Sequence, residues 1–162
     1  MDIEKKYAVL ATIMRASHFQ WRRAALAFNP NIDPARLVNR YWEEVGKDTA
    51  QYYVRQIDPA GDVAEQFTAL FVSSSVVMGE DAEVIDKSAE GRAQMRHNSC
   101  PWYDWHQREG LLAEDLVGCN HFLQVVVDDV NAALGTSLRF ETVESLPEGG
   151  SCCLRQFWEE DK

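Results

Sequence analysis

The chain is poor in several things, and each shortage excludes a class of function. It has no apolar run approaching the roughly 20 residues that span a bilayer, so no membrane helix is expected. Its first residues, Met1-Asp2-Ile3-Glu4-Lys5-Lys6, are charged and carry neither the apolar centre nor the small-residue cleavage site of a secretory leader. Basic residues are scarce: 16 Lys and Arg stand against 26 Asp and Glu, a formal net charge of −10. Such a surface is repelled by phosphate backbones and anionic lipid, so neither nucleic acid nor a membrane is an expected partner. The Arg22-Arg23 pair is local and reads as a solvated helix face. Low-complexity segments, internal repeats and linkers are missing too, so the 162 residues are expected to form one domain with a real core. Neither a C-x-x-C nor an H-E-x-x-H spacing occurs, which leaves no strong metal signature. With only four cysteines and a cytoplasmic location expected, the thiols read as free or as ligands, not as a disulfide framework.

What is present reads as α+β. Apolar residues at helical spacing (Tyr7, Leu10, Ala11, Met14, Phe19, Trp21, Ala25, Phe28) predict a helix over 3–28. Asp33-Pro34 is a cap followed by the residue preferred at the first helical position, and starts a second helix running to about 57. Its aromatics, Tyr41, Trp42, Tyr52 and Tyr53, are expected to pack in a core, with a ligand-binding role as the minority reading. Asp58-Pro59 repeats the signal for a third helix over 60–77, although 73–77 could instead extend as a strand. Strands are predicted over 82–88 and 92–98, a short helix from Pro101 to near Gly110, and a longer one over 113–134 ended by Gly135. The latter should bury Cys119 and expose His121. Two more strands, 138–143 and 152–158, should close a hairpin. The expected fold is N-terminal helices followed by a ββααββ region with a small antiparallel sheet of about four strands.

The stretch from Arg96 to His106 concentrates the chemistry. Pro101 at a helix start makes Cys100 the expected N-cap, where unpaired N–H groups and the helix dipole favour a thiolate. Alternation in the preceding strand turns Ala93, Met95 and His97 inward and Arg92, Gln94 and Arg96 to the other face. Cys152 and Cys153, being adjacent, must also face opposite ways.

Cys100-Pro101-Trp102, Gly110-Leu111-Leu112, Cys119-Asn120, Leu138-Arg139-Phe140-Glu141 and Gly149-Gly150-Ser151-Cys152-Cys153-Leu154-Arg155, in that order, resemble the L-2-amino-thiazoline-4-carboxylic acid hydrolase family. The resemblance covers roughly 60–160, within a single 1–162 domain whose 1–57 part is helical and whose 58–162 part carries the match. It implies hydrolytic opening of a cyclic C=N bond in a small sulfur heterocycle and matches Cys100, Cys119 and Cys152, the last with an ambiguity of one position.

Three readings compete for these residues. In the first, Cys100 is the nucleophile, His97 or His106 the acid–base group, and Cys119, Cys152, Arg96 and Arg155 bind substrate, either arginine holding a carboxylate. No cofactor is then expected. In the second, His97, Cys100, His106 and Cys119 hold zinc or another divalent metal. In the third, the cysteines, His97 and His18 fill the core. Asp104 and Glu109 read as solvated charges, with Asp104 orienting His97 or His106 as the minority option. A different class stays open, a non-catalytic small-molecule-binding sensor domain, by fold-level analogy with the 4-vinyl reductase type. A small-molecule substrate is the expected partner, and a homo-oligomer is left open. The structural expectation is that Cys100, Cys119 and Cys152 line one pocket.

Overall fold

A computed structural model describes residues 2–160. The elements are α1 (Ile3–Phe28), α2 (Pro34–Val54), α3 (Val63–Val77), β1 (Asp81–Ile85), β2 (Ala93–Ser99), α4 (Pro101–Glu109), α5 (Leu112–Leu134), β3 (Leu138–Glu144), a 3-10 turn (Leu146–Glu148) and β4 (Cys153–Glu159). The four strands form one antiparallel sheet in the order β1-β2-β4-β3, which is the expected α+β class. No described helix is long and apolar enough to cross a membrane.

Local chemistry explains most element ends. The Asp33 carboxylate accepts the Ala35 N–H at 2.9 Å, and Pro34 follows, as the sequence predicts. Asp58-Pro59 does not start α3. Its carboxylate accepts the Ala60 N–H in a turn that Gln66 ties down, and the cap passes to Asp62, which accepts the Glu65 N–H at 2.9 Å. The 73–77 run stays helical to Val77, because Phe67, Phe71 and Ser75 keep one face of α3 buried against the sheet. β1 stops at Ile85, three residues early, where the chain turns so that Ser88 N–H can reach Arg92 C=O.

The core lies between the sheet and α2, α3 and α5, with Phe67, Met95, Leu123, Val127, Leu138 and Phe157 fully buried. Side chains on one sheet face come from alternate positions: Ala93, Met95 and His97 on β2, then Cys153, Arg155 and Phe157 on β4. In register, His97 pairs with Cys153 and Met95 with Arg155, so these four share one patch.

Three readings of α1 and α5 are corrected. The apolar stripe of α1 is only partly buried: Ala11 and Phe19 lie inside with Arg15 and His18, while Leu10 is 64 % exposed and Phe28 94 %. Arg22 is not solvated but anchors α1, whereas Arg23 stays exposed as expected. Arg22 forms a bidentate pair with Glu114, and Arg23 Nη1 lies 2.6 Å from Glu109, which is therefore paired as well. His121, expected outside, is half-buried.

Candidate functional site

A cavity of about 640 Å³ opens where α2, α3, α4 and α5 meet the inner sheet face. Most of its wall is apolar or aromatic: Trp42, Tyr52 and Tyr53 from α2, Phe71 from α3, Trp102 from α4 and Phe122 from α5. Trp42 can lie flat on α5 because residue 118 is glycine. A Cβ there would stand 2.9 Å from Trp42 Nε1. Tyr53 donates its hydroxyl to Ser74 Oγ at 2.9 Å, and burial raises its pKa to about 12.

The polar part of the wall is built by the sheet, the start of α4 and the first half of α5. His97, two residues before the end of β2, faces inward, as its position in the alternation requires. Its Nε2 lies 2.9 Å from Ser75 Oγ and 2.9 Å from the Glu80 carboxylate, both at the C-terminal end of α3 or just beyond it. Phe71 meets the ring edge-on. His106, one turn into α4, has Nδ1 2.9 Å from Trp102 C=O and 3.6 Å from Asp115 Oδ1. Burial raises the Asp115 pKa, and the nearby His106 and Arg155 only partly offset it.

The thiols do not behave as the sequence suggests. Cys100 is indeed the N-cap of α4, followed by Pro101, but its side chain makes no capping hydrogen bond. Burial pushes its pKa well above the ordinary range, the Glu80 carboxylate pushes it further, and the pull of the Tyr103 N–H does not compensate. Desolvation thus opposes the thiolate expected from the helix start, where the terminus favours negative charge. Burial likewise raises Cys119 to about 11, with the Arg155 guanidinium pulling the other way. Cys153 is raised by burial too, although it accepts the Leu146 N–H at 3.3 Å.

Arg155 sits at the centre of this group. It is 2 % exposed, and its Nη2 donates to Cys119 Sγ at 3.1 Å. Behind the polar wall, His18 lies among Phe19, Tyr41, Trp42 and Trp102 with neither ring nitrogen hydrogen-bonded. Burial lowers its pKa to about 4, helped by His106 and Arg22. It is a core histidine.

Of the candidates named from sequence, the cavity brings together Cys100, His97, His106, Cys119 and Arg155. Two are corrected. Cys152 precedes β4 and stays outside, and its neighbour Cys153 lines the cavity instead. Arg96 lies on the opposite sheet face, its Nη2 2.6 Å from Glu83, and cannot hold a ligand in this cavity. Asp104 is exposed and orients neither histidine. The metal alternative is not assembled: among the described residues no three His, Cys, Asp or Glu side chains form a group that could hold an ion, so His97, Cys100, His106 and Cys119 share a wall without converging. The sequence reading missed Glu80 and Asp115. Asp115 had a signal, standing one helical turn before Cys119 on the same face of α5. Glu80 had none, since it lies between elements.

No family model and no curated protein matches the chain. Solved structures do share its fold. One is trafficking protein particle complex subunit 3 from Naegleria fowleri, covalently bound to palmitic acid, with a TM-score of 0.58 and 10 % identity over 95 % of this chain and 97 % of that one. Another is the phenol-responsive sensory domain of the transcription activator PoxR with phenol, with a TM-score of 0.52 and 13 % identity over 88 % of this chain and 72 % of that one. At these identities the likeness is one of fold.

Proposed function

We propose that this chain is a small-molecule-binding domain of sensor or carrier type, taking an apolar ligand into the cavity between its helices and sheet. The observation that carries the reading is the cavity itself. At about 640 Å³ it falls within the roughly 300–1,000 Å³ of ligand pockets, and it has their make-up, aromatic walls with a few convergent polar groups. The two fold neighbours hold palmitic acid and phenol, both apolar in the main, which agrees with this use of the fold.

The hydrolase reading keeps one observation in its favour: Cys100, His97, His106 and Arg155 line the same cavity. Opening a C=N bond by thiolate attack needs an ionised sulfur, and burial holds all three cavity thiols in the neutral form. Binding requires no such activation and is the better-supported function.

The test is fluorescence titration with the neutral apolar dye N-phenyl-1-naphthylamine. Saturable binding is expected, with Trp42 and Trp102 quenched on occupancy. Thr49→Trp, which places an indole in the cavity wall, should abolish it without unfolding the protein. Non-saturable uptake, or binding indifferent to Thr49→Trp in a folded variant, would sink the reading.

A further inference from the structure

We infer that the ligand of this cavity carries a single acidic headgroup of carboxylate type, seated on the Arg155 guanidinium. The inference rests on the binding-domain reading and adds the chemistry of the ligand's polar end.

A guanidinium presents five N–H donors in a fixed fork. Arg155 is 2 % exposed, yet it donates one hydrogen bond, to Cys119 Sγ, and sulfur is a weak acceptor. Its Nε is buried without a partner. It enters no ion pair with any described residue, although three carboxylates, Asp48, Glu80 and Asp115, line the cavity. Glu80 is turned to His97 at 2.9 Å, and Asp115 faces His106 at 3.6 Å. The thiols around Arg155 are neutral at ordinary pH. A buried cation without a paired charge is costly to keep. The ligand is the natural source of the missing acceptors, and a planar carboxylate fits the fork with two parallel bonds.

The same wall limits what the ligand is. One cation suits one negative charge. A phosphate ester would ask for further cations or a run of free N–H groups, and the described residues lining the cavity include no lysine and no second arginine. The aromatic side chains of α2, α3 and α4 require the remainder of the molecule to be apolar. The ligand class is therefore an apolar monocarboxylic acid, aliphatic or aromatic. Arg96, the other arginine considered from sequence, is paired with Glu83 on the outer face and offers nothing comparable.

Calorimetric titration with two matched pairs tests this: decanoate against 1-decanol, and 2-naphthoate against 2-naphthalenemethanol. At least one acid should bind roughly tenfold or more tighter than its alcohol, the size expected for charge-assisted hydrogen bonds. The pair that binds identifies an aliphatic or an aromatic body. Arg155→Met should remove the preference for the acid while retaining the alcohol, and should melt no lower than the wild type, because it deletes a buried charge at similar volume. Arg155→Lys should keep a reduced preference. Equal binding of acid and alcohol to the wild type overturns the headgroup inference and leaves the binding-domain reading standing. A preference that survives Arg155→Met overturns it too. Binding of neither member of either pair overturns both.

Discussion

The state of the cavity thiols separates a binding domain from a thiol hydrolase, and its size can be worked out. An ordinary thiol with a pKa of about 8.5 is roughly one-quarter ionised at pH 8. Cys119, raised by burial to about 11, is ionised on the order of one part in a thousand. That is a deficit of roughly 200-fold. A more basic thiolate is intrinsically more nucleophilic, with a Brønsted slope of about 0.4–0.5, which returns roughly tenfold over this interval. Iodoacetamide should therefore alkylate Cys119 at least about tenfold more slowly than free cysteine in the same tube, before restricted access is counted. Site-resolved mass spectrometry from pH 7 to 10 reads this directly. The Cys119 rate should still climb about tenfold per pH unit at the top of the range, and the Cys100 rate should also show no plateau, since burial and Glu80 both oppose its ionisation. A Cys100 rate that levels off below pH 8 would refute the desolvation argument. It would mean that the start of α4 dominates after all, and the nucleophile reading would return to the front.

Three further outcomes follow from the packing. His18 has a folded-state pKa of about 4 against 6.5 unfolded, so between these values the unfolded chain binds the extra proton and stability falls as pH drops; the loss should be on the order of 2–3 kcal/mol by pH 4, read from urea midpoints, and His18→Phe should flatten that slope. Gly118→Ala puts a Cβ against Trp42: overpacking of about 1–3 kcal/mol is partly offset by about 1 kcal/mol of helix propensity, so melting should shift little while dye binding weakens as the indole is displaced into the cavity. Met95→Ala, at a fully buried position beside Arg155, should cost about 2–5 kcal/mol by denaturant titration, and a cost below about 1 kcal/mol would show that the sheet face is not packed as described.

The site also shows why a protein of this size can keep a large cavity. The sheet and α5 are joined through a continuous apolar layer that includes Leu123, Val127 and Phe157, which holds the walls from behind. The two histidine–carboxylate contacts fix the polar side chains in place, His97 against Glu80 and His106 against Asp115.

Local features of the sequence determined most of the framework. Asp33-Pro34 and Cys100-Pro101 mark helix starts, and Gly110 and Gly135 take left-handed conformations at helix ends, because these effects act within one turn of chain. Period-2 alternation correctly turned His97 inward, and read strictly it placed Arg96 on the face away from His97 as well. Helical spacing put Cys119 on the inner side of α5. What only the tertiary structure decided depends on sums over distant neighbours. Which of Cys152 and Cys153 enters the cavity is fixed by the pairing of β4 with β2, which sets Cys153 beside His97 and Arg155 beside Met95 on the inner face. Glu80 reaches His97 only because the end of α3 is folded against β2. The pKa of Cys100 follows from how much water the whole fold removes, a quantity that no window of sequence contains. The cavity belongs to the same class: each aromatic of α2 reads as core, and only the arrangement of four helices on a sheet leaves the space between them empty.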